Sequence, residues 1–231
     1  MSRDSATLIS IETSTELASV ALLHQGQRFS RESLGAQTHS ATVPGMLQSV
    51  LKEADIRLSD CDAIAFGAGP GSFTGVRTAC GLAQGLAFGL KLPVVPVVTL
   101  LAMAERARAA GSNNVLPVLD ARMGEVYWAQ YQFTDRWQTV TAPVLSQASQ
   151  VKATGLPAVC GNGLIAYQSD LLHLESSQSL PEVMPHAKDL LNLALQAISE
   201  GKTLHARDAQ PLYLRNKVAL TTRERTAGAA V

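Results

Sequence analysis

The stretch Ala63-Ile64-Ala65-Phe66-Gly67-Ala68-Gly69-Pro70-Gly71-Ser72-Phe73-Thr74-Gly75-Val76-Arg77 decides how the rest of the chain is read. Four apolar residues suited to a buried strand enter a glycine-rich corner, and the corner opens a helix of small residues from about Thr74 to Gly89. Strand, corner and helix in that order form the layout of a phosphate-binding loop, but the residues that complete one are missing. No glycine starts the spacing that ends in Gly-Lys-Ser/Thr, and the stretch holds no lysine. The dinucleotide fingerprint fails too, because Gly69-x-Gly71-x-x lands on Thr74 and Gly67-x-Gly69-x-x lands on Ser72. Two readings of Gly69, Pro70, Gly71, Ser72, Phe73, Thr74 and Gly75 stay open: helix-start N–H groups that attract an anion, or glycines that only turn a sharp corner.

Upstream, Leu8–Ile11 reads as a strand, Glu12–Glu16 as a polar turn, and Leu17–Leu23 as an antiparallel return. A third strand follows near Arg28–Ser30. Val43, Met46, Leu47, Val50, Leu51 and Ala54 then form an apolar stripe at helical spacing, with Ser40 as N-cap and Pro44 near the first turn. Downstream of the corner come a strand at Val94–Val98 and a helix at Thr99–Ala110, giving the order βββαβαβα. After Gly111–Asn114 the pattern restarts: strand Val115–Leu119, polar turn Asp120–Gly124, strand Glu125–Phe133. Asp120 repeats the position of Glu12, and Cys160-Gly161-Asn162-Gly163 repeats Phe66-Gly67-Ala68-Gly69. A last helix spans about Ala187–Glu200. The expectation is a duplicated α/β fold with a degenerate second copy: residues 1–110, joined by the tail at about 205–231, and residues 111–204. Residues 209–215 are expected to pack back across the domains, and Thr221–Val231 to be a frayed end.

The chain has 231 residues, 46% of them hydrophobic and 16% charged, with 19 bases against 19 acids, so electrostatics alone would not hold it to RNA. Cys61, Cys80 and Cys160 are too few and too scattered for a disulfide framework or a thiolate zinc site. Met1–Asp4 lacks a signal-peptide pattern and no apolar run is long enough to span a bilayer, so a cytoplasmic protein with no membrane contact is expected.

Residues for chemistry are sparse. The histidines at 24, 39, 173, 186 and 205 never share one helical face as a ligand pair, and no G-x-S-x-G elbow is present. No catalytic, metal-ligating or cofactor-binding residue is assigned. Glu12 and Asp120 either face each other across an interdomain cleft or satisfy backbone donors in their own turns. His39 is a local hydrogen-bonding residue or part of a contact surface, and Arg77 holds an anion or makes an ordinary ion pair.

The helix after the corner carries two rows of small residues at four-residue intervals, Ala79/Ala83/Ala87 and Gly81/Gly85/Gly89. Each interior glycine costs roughly 0.5–1 kcal/mol relative to alanine, which calls for compensation by close packing. The sheet beneath it or a second polypeptide supplies that packing.

Ile11–Thr15, His39 with its helix, Gly69–Arg77, Leu119–Tyr127 and Pro211–Arg215 together resemble the TsaB (YeaZ) family of bacterial tRNA threonylcarbamoyladenosine biosynthesis. The resemblance implies a duplicated actin-like, Hsp70-like (ribonuclease H-like) fold. It also implies a noncatalytic paralogue that binds and activates the transferase TsaD, with the ATPase TsaE completing the assembly, tRNA engaged only through the complex, and a homodimer when alone. The interface it implies lies on the first two long helices: His39, Val43, Met46, Leu47, Val50, Arg77, Ala79, Cys80, Ala83, Leu86 and Ala87. Ala83→Glu is then expected to abolish association without unfolding the monomer. Glu12 departs from the family pattern, where aspartate is usual. Two other functions are an ATP-dependent kinase-like enzyme using Glu12, Asp120 and the glycine-rich corner, and a peptidase, for which the sequence offers no nucleophile–base arrangement.

Overall fold

A computed structural model describes residues 6–35 and 39–215. The expectations for Met1–Asp4 and Thr221–Val231 lie outside the described residues.

The first half begins with strands β1 (Leu8–Glu12), β2 (Leu17–His24) and β3 (Gln27–Leu34). Helix α1 (His39–Glu53), β4 (Ala63–Gly69), α2 (Phe73–Leu90), β5 (Val94–Val98) and α3 (Thr99–Ala109) follow. The sheet order is β3-β2-β1-β4-β5, antiparallel among the first three and parallel from β1 to β5. The meander needs only short turns, whereas the parallel strands need helical crossovers, and α1 and α2 supply them. Because β1 and β4 are central, Leu8-Ile9-Ser10-Ile11-Glu12 and Ala63–Gly69 are buried along their whole length.

The second half repeats the topology. Strands β6 (Asn114–Asp120), β7 (Glu125–Phe133), β8 (Trp137–Gln147), β9 (Ala158–Cys160) and β10 (Gln178–Leu180) are ordered β10-β9-β6-β7-β8. Their pairing directions match the first sheet strand for strand. This is the duplicated ribonuclease H-like fold. The second copy has lost its helical cover: one turn of 3-10 helix at Ala148–Gln150 stands where α1 would be, and the four-residue α4 (Gly163–Ala166) stands for α2.

Each half lends a helix to the other. Helix α3 sets Leu100, Met103, Ala104 and Ala107 against Val115, Leu119, Ala129 and Tyr131 of the second sheet. The last helix, α5 (Ala187–Ser199), sets Leu190, Leu191, Leu193 and Ala194 against Leu8, Ala21, Leu23, Ala65 and Val97 of the first. Its start is stitched there by Ser10 Oγ donating to the Ala187 carbonyl (2.7 Å) and the Ala187 N–H donating to Ser19 Oγ (2.9 Å). Thus α5, drawn from the stretch 111–204, serves the sheet of residues 1–110.

Two local expectations differ. Helix α1 already includes His39, so Ser40 lies inside it and is no N-cap. Strands β8 and β10 stand where the sequence pattern predicts no strand.

Candidate functional site

The glycine-rich corner is packed from below by the β1–β2 turn. Ser72 N–H donates to the Ser14 carbonyl (2.7 Å), Thr13 Oγ1 donates to the Gly75 carbonyl (2.7 Å), and Ser72 caps α2 by accepting from Gly75 N–H. A Cβ on Gly71 would lie 2.5 Å from the Ser14 carbonyl oxygen, and one on Gly75 would collide with the Thr13 carbonyl oxygen. These glycines let two backbone segments touch, as the corner reading has it, and the Ser72 and Gly75 N–H groups are engaged within the protein.

Glu12 is fully buried and does not face Asp120. One carboxylate oxygen accepts the Ser14 N–H (2.6 Å), and the other, Oε2, has no partner. That oxygen rests on Gly67, where any Cβ would collide with it. Burial raises the Glu12 pKa above its ordinary 4.5, and hydrogen bonding around Ser14 reduces the rise without cancelling it. Asp120 accepts the Arg122 N–H (2.7 Å) and the Tyr167 hydroxyl (2.8 Å), while Asn162 Oδ1 accepts the Asp120 N–H (2.9 Å). Each acid therefore serves its own turn and nearby donors, which removes the paired-carboxylate arrangement a kinase-like reading requires.

Above the corner a cleft of about 860 Å³ separates the halves, lined by Ser14–Glu16, His39, Phe73, Asp120, Arg122, Asn162 and Leu212–Arg215 among others. Arg122 reaches across it, pairing with Asp120 (3.0 Å) on its own side and Glu16 (2.9 Å) opposite. His39 Nε2–H donates to the Thr15 carbonyl (2.8 Å), the local role foreseen as one of its two alternatives. Arg77 makes no ion pair among the described residues. Its guanidinium carbon lies 3.7 Å from the Phe73 ring centroid, and its Nε donates to the Tyr213 hydroxyl (2.7 Å). Tyr213 belongs to the tail, which crosses both halves: Leu212 N–H donates to the Ala68 carbonyl (2.7 Å), and Arg215 pairs with Glu125.

The helix pair α1–α2 corrects the residue-level interface. Val43, Leu47, Val50, Ala79, Cys80, Ala83 and Ala87 are all buried in the core between the helices and the first sheet. A helix laid on a sheet buries one row of its surface, and here the alanine row is that row, so no partner reaches these side chains. Ala83→Glu would drive a charge into the core and is not a test of association. Met46 and Leu86 are half-buried, and Arg77 is exposed. The glycine row points outward: a Cβ on Gly81, Gly85 or Gly89 would meet nothing within 4 Å, and Phe88 beside them is 66% exposed. On α1, Pro44 and Gly45 are exposed as well.

Comparison with known proteins places this geometry. A curated relative from Escherichia coli K12, the tRNA threonylcarbamoyladenosine biosynthesis protein TsaB, is 40% identical and aligns over 92% of this chain and 96% of its own. This chain belongs to the TsaB family. The TsaB of Haemophilus influenzae is 36% identical over 92% of the chain and 94% of its own. YeaZ from Pseudomonas aeruginosa superposes with a TM-score of 0.85 at 38% identity, covering 90% of this chain and all of that one. The family model described as TsaD, tRNA N6-adenosine threonylcarbamoyltransferase, matches residues 33–169. Membership of the TsaB family and the duplicated fold agree with what the sequence motifs implied.

Tyr213 as the partner of Arg77, Arg122 as the bridge across the cleft and Asn162 as an acceptor for Asp120 are not legible in the sequence. All three lie in its motifs, but the contacts span sequence separations of 136, 106 and 42 residues. Among the described residues no helix is long and apolar enough to cross a membrane.

Proposed function

We propose that this chain is a noncatalytic subunit of tRNA threonylcarbamoyladenosine biosynthesis, working in the cytoplasm and activating a TsaD transferase by packing α1 and α2 against it. The observation that carries the reading is the outward glycine row Gly81/Gly85/Gly89 beside Phe88 and the exposed Pro44–Gly45. Three solvent-facing glycines weaken a helix by roughly 0.5–1 kcal/mol each, and a surface without side chains lets another helix approach closely. The match of residues 33–169 to the TsaD model supports a partner of related fold, able to present a similar helix pair. The names of the relatives supply the pathway. The chain would form a homodimer through the same face when alone, recruit a TsaE ATPase to the assembly, and meet tRNA through the complex, since 19 bases against 19 acids leave no excess positive charge.

A kinase-like ATPase is the weaker alternative, because Glu12 is buried on Gly67 and the Ser72 and Gly75 amides are engaged by protein. Calorimetry with magnesium-ATP tests it directly.

The test of the leading reading is Gly85→Arg. The position is open, so the variant should fold with an unchanged or higher melting temperature. Its association with the TsaD subunit, followed by light scattering, should weaken by about 100-fold or more, as a guanidinium wedged between close helices costs several kcal/mol. A folded Gly85→Arg chain that associates like the parent overturns the proposal.

A further inference from the structure

Helix α5 is held at its start by a histidine whose ring has to be neutral. His186 is the N-cap, and its Nδ1 faces the Lys188 N–H at 3.0 Å. A backbone N–H only donates, so Nδ1 accepts and carries no proton. Across the ring, Nε2 lies 3.0 Å from a carboxylate oxygen of Glu32, which accepts, so Nε2 holds the proton. A single neutral tautomer satisfies both contacts. The residue is 2% exposed, so water does not offer a replacement for either.

These contacts tie α5 into the first sheet. Glu32 on β3 and Ser19 on β2 are register partners, and they hold consecutive residues, the His186 ring and the Ala187 N–H. A second proton would have to enter at Nδ1, directly in front of the Lys188 N–H, and would leave that helix-start donor without an acceptor. Burial opposes the charged ring most, and Arg106 of α3 and Lys188 of α5 oppose it too. Glu32 favours it, but its side chain is 62% exposed and water screens the attraction. Together they hold His186 below its ordinary 6.5.

We propose that His186 is an acid-sensitive latch: neutral, it caps α5 and pins it to β3; protonated, it frees the first turn of the helix and loosens the seal over the first sheet. The latched chain binds the proton more weakly than the opened one. The latch is therefore fully effective above about pH 6.5 and weakens as pH falls below it, toward the lowered native value. Asp189, three residues on among Arg106, Glu105, Lys188 and Arg28, acts in the opposite sense, since burial pushes it up to about 6. The test removes that second titration.

Two full-length chains are compared, Asp189→Asn and Asp189→Asn/His186→Asn. Asparagine at 186 offers an acceptor to the same N–H and does not titrate. Amide hydrogen exchange of residues 188–192 is followed at about pH 7.5 and about pH 5.5, each rate divided by that of an unstructured chain at the same pH. Protection in the first chain should fall by about threefold to tenfold, ten being the limit for a group of ordinary pKa 6.5 over that interval. In the second it should stay constant within about twofold. Nitrogen-15 NMR of histidine-labelled parent chain gives a check that needs no substitution: His186 should be unprotonated at Nδ1 near neutral pH and titrate below 6.5. Protection that stays flat or falls alike in both chains overturns the proposal, and so does a His186 ring that titrates above 6.5 or carries its neutral proton on Nδ1.

Discussion

Glu12 shows how one methylene changes the chemistry of a turn. A shorter acid would stop short of Gly67; the glutamate reaches over it, and only a residue without Cβ accepts the carboxylate there. With Oε2 unpartnered, burial favours the protonated form and raises the pKa above 4.5. The sign of the pH effect follows. The native state holds the proton while the unfolded state releases it, so this contribution to stability is full below the unfolded value and falls as pH rises toward the raised native one. Glu12→Gln removes the titration. Urea denaturation should show the variant gaining on the parent as pH rises above the ordinary carboxylate value of 4.5, and a difference that stays flat as pH rises would mean that Glu12 is ionised in the native state. Asp189, near the start of α5, is pushed up to about 6 by burial, so Asp189→Asn should likewise gain on the parent between about pH 4 and pH 6. None of this was legible from the sequence, which offered Glu12 either a cleft or its own turn and had no means of seeing Gly67 beneath it.

For an element such as α2, periodicity identifies the helix and leaves its rotation open. Alanines and glycines recur at the same interval on adjacent rows, and both rows suit close packing. The sheet takes the row with a methyl group, because each buried methyl adds apolar contact that glycine cannot make. Hence Gly85→Ala should stabilise the isolated chain by roughly 0.5–1 kcal/mol, measured by urea unfolding, since nothing opposes the new Cβ. Ala83→Glu, at a fully buried position, should instead unfold it or lower its melting temperature by many degrees. The strands were legible where burial on both faces makes an apolar run, as in β1, β4 and β6. They were not legible at the sheet edges: β8 is half exposed and interrupted by Pro143, and β10 is three residues long with its first two exposed.

On the scale of the whole molecule, the duplication was legible because its acid-bearing turns and glycine corners recur. The exchange of helices was not, since nothing in the pattern of α5 says which sheet it covers. Residues 1–110 expressed alone would leave bare the sheet face that α5 occupies, along with the Leu100/Met103/Ala107 face of α3. That fragment should be insoluble or bind hydrophobic dyes strongly, and a soluble, cooperatively unfolding fragment would show that the borrowed helix is dispensable.

The placement of α5 bears on synthesis. The first sheet is translated early, but the helix that seals one of its faces, with the Ser10 and Ser19 bonds to Ala187, is encoded at residues 187–199. While the ribosome works through the intervening stretch, Leu8, Ala21, Leu23, Ala65 and Val97 lack the cover of α5. The nascent chain thus carries a sheet face still waiting for its last helix while residues 99–186 are made, and a holdase chaperone that recognises such faces has its binding window there.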